Sequence, residues 1–153
     1  MGRLYVASMV LRIVPVGPDT VGQWREIHNV VIPPHVLTED DVRERMTRNR
    51  LTLAYEADVL VGNATIRPPE PDAMTATVIV RILPEHRRKG HGSQYLDAML
   101  AEARRMRARR IETVVLASNE DGLAFAGRRG FVEFDRYVLD GQAAEWVDLF
   151  LAT

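Results

Sequence analysis

The sequence predicts a single α/β domain with elements in the order β-α-α-β-β-β-α-β-α-β-β. Three observations carry that expectation. Apolar residues alternate in some short runs, as at Leu51, Leu53 and Tyr55, which is the period of a half-buried strand. In other runs they recur at helical spacing, as at Val21, Trp24, Ile27, His28 and Val31. Between them a β-like run, Thr75 to Ile82, breaks through Arg87-Arg88-Lys89-Gly90-His91-Gly92 into an amphipathic helix. At 153 residues the chain is one domain's worth and long enough for a sizeable core.

The elements follow in order. Met9 to Val16 reads as a first strand, with Leu11 and Ile13 on one face and Arg12 opposite. Gly17-Pro18-Asp19 turns the chain. Thr20 then starts a helix, with Gln23 in capping-box position, and Pro33-Pro34 stops it. A second helix starts at Thr38. Asp41 stands three residues on, and Glu39, Asp40 and Asp41 suit the positive end of the helix dipole. Leu51 to Glu56 and Val59 to Arg67 read as a hairpin around Ala57-Asp58, with Gly62 marking a bulge or a close backbone approach. Arg67 to Asp72, rich in proline, is an exposed loop before the strand Thr75 to Ile82. The helix after the glycine-rich turn runs from about Ser93 to Arg107, and its arginine-dense end suits a helix C-terminus in water. Ile111 to Ala117 is a strand and Asn119 to Arg129 a helix closed by Gly130. Phe131 to Leu139 and Glu145 to Ala152 are the last strands.

Composition narrows the function. A net charge of −1 argues against general nucleic-acid affinity, which needs a basic surface. There is no cysteine, hence no disulfide framework, no cysteine nucleophile and no thiolate metal site. No apolar run approaches membrane-spanning length, and Met1 to Val10 lacks the apolar core of a signal peptide. A cytoplasmic protein is the expectation. His86 and His91 lack acidic partners at ligand spacing, so no metal is expected.

A strand that turns into a helix through glycines leaves backbone N–H groups unpaired at the helix start. With the dipole, these make a phosphate site. Gly90 and Gly92 keep side chains out of a ligand's way, and Arg87, Arg88 and Lys89 add positive charge at the rim. A Walker A loop is absent, and the dinucleotide fingerprint fails at its third glycine, which is Tyr95.

What the run Val80-Arg81-Ile82-Leu83-Pro84-Glu85-His86-Arg87-Arg88-Lys89-Gly90-His91-Gly92 does match is a hydrophobic strand followed by Pro-x-x-Arg-x-x-Gly-x-Gly. This resembles the acyl-CoA-binding signature of the GNAT superfamily of N-acyltransferases. Asn119, with Gly130-Phe131 eleven residues on, is similar to a second feature of that family. The resemblance covers nearly the whole chain after Met9. It implies one GNAT domain over 9–153, after an extension at 1–8, with a mixed, mostly antiparallel sheet, flanking helices and a splayed parallel pair of strands. It implies acetyl-CoA, or another acyl-CoA, bound by Ile82, Leu83, Pro84, Arg87, Arg88, Lys89, Gly90, His91, Gly92, Ser93, Asn119 and Phe125. The first two helices and their link would cover the acceptor end.

The second motif departs from the family in two places. Gly122 replaces an alanine, and Ala126 stands where many relatives place the tyrosine thought to protonate the departing thiolate. The strand Thr75 to Ile82 also lacks the glutamate that many relatives use as base. A thiol pKa of about 8.5 makes thiolate a tolerable leaving group without an acid, so the departure weakens one acid and leaves transfer intact. Tyr137 is the candidate catalytic side chain, and Glu70, Asp72 and His35 are candidate bases acting through water. The function expected from the resemblance is transfer of an acetyl group from acetyl-CoA to an amine, by direct attack in a ternary complex. The alternative is a non-catalytic acyl-CoA sensor. The expected partners are acyl-CoA and an amine acceptor, with a homodimer allowed for and neither nucleic acid nor membrane.

Overall fold

The computed structural model describes residues 10–152. The start of the first predicted strand, Met9, and the extension 1–8 lie outside them. The strands are β1 (Arg12–Pro15), β2 (Arg50–Glu56), β3 (Val59–Arg67), β4 (Thr75–Ile82), β5 (Arg110–Leu116), β6 (Phe131–Val138) and β7 (Glu145–Leu151). The helices are α1 (Val21–Val31), α2 (Glu39–Met46), α3 (His91–Arg105) and α4 (Glu120–Arg128). The element order is the predicted one, and boundaries move by up to three residues.

The seven strands form one sheet in the order β1-β2-β3-β4-β5-β7-β6. Every neighbouring pair is antiparallel except β4 and β5, which run parallel. That pair holds together only at Thr75↔Arg110, Ala76↔Ile111 and Thr77↔Glu112. Beyond Thr77 the two strands part, which is the splay the resemblance implies.

Strand alternation gives the sheet two apolar faces. Leu51 and Leu53 of β2 join Val21, Trp24 and Ile27 of α1 and Val42 of α2 in one core. Val78 of β4 and Val147 and Leu149 of β7 join Tyr95, Leu96, Met99, Leu100 and Ala103 of α3 in the other. Gly62 sits beside a bulge: Ala54 opposes Gly62 while Tyr55 opposes Leu60, leaving Val61 as the extra residue. A Cβ at Gly62 would come within 2.4 Å of the Arg81 carbonyl oxygen, so the site is both the bulge and the close approach that a strand glycine suggests.

The two predicted helix caps differ in outcome. At Thr38 the box forms: Asp41 N donates to the Thr38 hydroxyl at 3.1 Å and Thr38 N donates to Asp41 Oδ2 at 2.8 Å. At Thr20 it does not. The Thr20 hydroxyl accepts from Gly17 N at 2.9 Å, and Gln23 instead accepts from the Tyr55 hydroxyl at 3.4 Å. The tight turn at Gly17 places a backbone donor nearer than the helix's own, so it takes the side chain.

α1 brings a polar layer into the interior. Trp24 Nε1 donates to the Ala64 carbonyl at 3.3 Å, and Asn63 Nδ2 donates to the Trp24 carbonyl at 2.9 Å. His28 stacks on Trp24 with ring centroids 5.7 Å apart and is 1% exposed. Burial, and next the Arg81 charge, lower its pKa to about 3. Above pH 6.5 the imidazole is neutral in folded and unfolded chains alike. Below it, the unfolded chain takes up a proton that the fold refuses, so stability falls as pH drops toward 3. Between pH 6.5 and 4.5 this loss amounts to about 2–3 kcal/mol. Denaturant titrations at those two pH values should show His28→Leu losing less stability than the parent by about that amount; equal losses would contradict the assignment.

Candidate functional site

The site begins where β4 ends. Leu83 N donates to the Val61 carbonyl at 2.9 Å on the β3 side. Alternation then turns the peptide groups of Val80 and Ile82 to the other side, into the gap that β5 has left. A single 3-10 turn, Pro84–His86, follows. Arg87 folds back and donates from Nε to the Ile82 carbonyl at 2.9 Å, which pins the loop to the strand end. Arg88 and Gly90 take left-handed backbone, with φ of 64° and 83°. Gly90 is the N-cap of α3 and has open space around it, so its role is backbone conformation. The turn it makes lets α3 begin at His91, two residues before the predicted Ser93.

The start of α3 has no side-chain cap and no acidic residue in its first turn. The amide of Gln94 bonds back to the Gly90 carbonyl at 3.1 Å. Those of His91, Gly92 and Ser93 therefore stand at the positive end of the dipole with no helical acceptor. Gly92 and Ser93 line a groove of about 600 Å³. The loop forms one wall through Arg87, Arg88, Gly90, Gly92 and Ser93, the end of β4 forms the floor, and α4 forms the other wall. α4 is fixed by two contacts. Asn119 caps it by accepting from Gly122 N at 2.9 Å. Arg129 donates to the Ser93 carbonyl at 3.2 Å and to the Asp97 carboxylate. A Cβ at Gly122 would lie 2.6 Å from Asn119 Nδ2, so an alanine there would make the Asn119 side chain shift.

The groove continues between the parted strands as a cavity of about 80 Å³, lined among others by Arg81, Thr113, Leu116, Ala126, Ile32 and Trp146. Ala126 is buried at the gap, so a methyl group stands there in place of a hydroxyl.

Of the predicted ligand-binding residues, Ile82, Arg87, Arg88, Gly90, Gly92, Ser93, Asn119 and Phe125 line the groove. Leu83, Pro84, Lys89 and His91 do not. Leu83 packs toward the α1–α2 core, and Lys89 is exposed. His91 turns inward, 2% exposed, with Nε2 3.4 Å from Glu56 Oε2, leaving only its backbone for a ligand. Tyr137 lies on β6, beyond β7, and lines neither the groove nor the cavity. Its hydroxyl donates to Asp148 Oδ1 at 2.8 Å. Burial, with that bond, pushes its pKa up to about 12. Glu70 and Asp72 are exposed in the loop before β4, at the end of the strand opposite the groove. His35 lies on the link between α1 and α2, edge-on to Trp146 at 6.2 Å and to His28 at 5.7 Å. Burial, and then the Arg45 charge, lower its pKa, so its imidazole is neutral at neutral pH.

Sequence reasoning missed Arg81 and the rest of the groove face of α4 around Phe125. The second had a signal: Asp121, Ala124 and Arg128 fall with Phe125 at helical spacing on the side that lines the groove. Arg81 had one too, as the one charge inside an otherwise uncharged strand.

Comparison with known proteins agrees with this architecture. Residues 20–131 match the family model described as the acetyltransferase (GNAT) family. No functionally curated protein sequence matches the chain. Solved structures do. A protein assigned as a phosphinothricin N-acetyltransferase superposes with a TM-score of 0.77 at 21% identity, over 92% of this chain and 97% of its own. A Salmonella typhimurium protein assigned as an acetyltransferase and solved with its cofactor acetyl-CoA superposes at 0.72, with 18% identity and 93% of each chain. A Salmonella typhimurium acetyltransferase that modifies the N-terminal serine of a 50S ribosomal subunit protein gives 0.75 at 16% identity, over 94% and 95%.

The groove yields a test. A Cβ at Gly92 would touch the Phe125 ring at 3.4 Å, an ordinary contact, while the branches of a valine would fill the space between α3 and α4. Gly92→Val should lower acetyl-CoA affinity by about a hundredfold or more and leave thermal unfolding nearly unchanged. Calorimetry showing parental affinity in the folded variant would overturn this.

Proposed function

The chain belongs to the GNAT acetyltransferase family, which uses acetyl-CoA, and from that premise we propose that it moves an acetyl group onto an amine by direct attack within a ternary complex. The observation that carries this reading is the groove itself: unpaired helix-start amides at one end and an open strand edge at the other. The amides of His91, Gly92 and Ser93 suit a pyrophosphate. The peptide groups of Val80 and the N–H of Ile82, which no strand pairs on that side, suit the amides of a pantetheine arm, with Asn119 and Phe125 on the facing wall. The bound thioester supplies an activated acyl carbon and a thiolate leaving group. The chain has no cysteine, which agrees with direct attack.

In the transfer step the amine nitrogen bonds to the acyl carbon, the carbon–sulfur bond breaks, and one amine proton is lost. His35 is the base favoured among those named. It is neutral, and although it lines neither the groove nor the cavity it stands edge-on to Trp146, which lines the cavity, whereas Glu70 and Asp72 lie at the far end of β4. No acid is needed for a thiolate. Ala126 offers none, and the Tyr137 proton is held by Asp148. A second reading, an acyl-CoA sensor, draws on the same alanine and the missing strand glutamate.

Free-thiol release across a panel of amines separates the two readings: turnover supports transfer, and tight acetyl-CoA binding with no turnover supports the sensor. With a good acceptor the rate should rise with pH as the amine deprotonates and then level off, with no alkaline fall. Tyr137→Phe should stay within a few-fold of the parent. A loss of about a hundredfold would give Tyr137 the acid's role. Ala126→Tyr should be slower, because the position is buried beside Leu96 and Phe131.

A further inference from the structure

Arg81 is a cation for which the fold supplies no anion. It is 5% exposed. Its Nη1 donates to Asn63 Oδ1 at 3.2 Å and to Thr65 Oγ1 at 3.4 Å, and the guanidinium lies 5.4 Å from the Trp24 ring. None of these partners carries charge. Its Nε has no partner at all, and among the described residues it forms no ion pair. Burial, and then the charges of Arg45 and Arg67, lower its pKa to about 9. Arg45 and Arg67 form no ion pair among the described residues either. Three cations thus act on one region, and the deepest of them is the least compensated.

An unpaired buried guanidinium destabilises the fold, and packing against Trp24 could be served by a neutral side chain. Arg81 is also among the residues that line both the groove and the cavity in the gap. The phosphate end of the groove has its own donors at His91, Gly92 and Ser93, on the far side of the 3-10 turn. On β5 and β7, Glu112 is bonded to Arg110 and Asp148 to Tyr137.

We propose that Arg81 anchors an anionic group of the acyl acceptor, so that the acceptor is an amine that also carries a carboxylate or a phosphorus oxyacid. This rests on the transferase reading and narrows its substrate class. A bidentate guanidinium–oxyanion contact satisfies the free Nε and neutralises the site in one step. Polyamines meet three like charges and are rejected.

The test uses the full chain saturated with acetyl-CoA. The panel pairs each proteinogenic amino acid with its α-carboxamide, adds aminoalkyl phosphonates, and takes spermidine as the cationic control. We expect the oxyanion-bearing member of a pair to be preferred by about tenfold or more in kcat/KM, although its partner's less basic amine is the better supplied with free base. Arg81→Gln should abolish the preference chiefly by raising KM, and Arg81→Lys should restore part of it. Carboxamides used as well as carboxylates would overturn the inference. So would an Arg81→Gln loss that falls equally on both members, which would mark a role toward the leaving thiolate. If Arg81→Gln fails to fold, the parental preference still decides. If no amine is acetylated, the transferase reading fails, and calorimetry of the same pairs on the acetyl-CoA-saturated parent decides the anion subsite. Selective binding of the oxyanion member supports it, and equal or absent binding overturns it.

Discussion

The parting of β4 and β5 after three paired residues is the constraint on which the rest of the site depends. A parallel pair joined along its length would bury its peptide groups in a ladder and close the sheet. Here the ladder stops at Thr77, so no strand pairs with Val80 and Ile82 on that side and the sheet has an opening in its middle. The helices then serve the opening from both faces. α3 and α4 flank it on one side, strapped together by Arg129, and the end of α1 closes the other, where Ile32 packs with Trp146 of β7.

The polar layer under α1 is the counterpart of that opening. Trp24, His28, Asn63, Thr65 and Arg81 form a buried network in which nearly every donor finds an acceptor but the positive charge finds none. A neutral His28 belongs to this arrangement, since a second buried cation beside Arg81 would raise the electrostatic cost further. The layer keeps α1 in one register on the sheet, and so keeps the α1–α2 link, with His35, over the gap.

What could be read from the sequence was local in the chain. The glycine-rich turn, its basic rim and the helix behind it lie within a few residues of one another, and the Thr38–Asp41 cap needs partners only three apart. Alternation and helical spacing fixed the element order for the same reason. What could not be read required distant segments to meet. The inward turn of His91 depends on which face of α3 meets the sheet near Glu56. The bond from Tyr137 to Asp148 depends on the β6–β7 register and its irregularity between Glu133 and Asp135. Arg81 looked like one polar residue in a strand until Trp24, Asn63 and Thr65 were seen to converge on it.

The internal gap also bears on how the chain avoids sticking to its own copies. An unpaired strand edge normally invites another strand, and natural sheets guard their outer edges against it with charge, bulges or short strands. The edges made by the splay look at each other across the protein's interior, walled by α1 on one face and by α3 and α4 on the other. A folded neighbour cannot bring a strand there, whereas a slender, flexible molecule can thread between the walls and take up the free peptide groups. The same hydrogen-bonding capacity that would be an aggregation hazard at the rim of the sheet is, in its centre, a filter for thin guests.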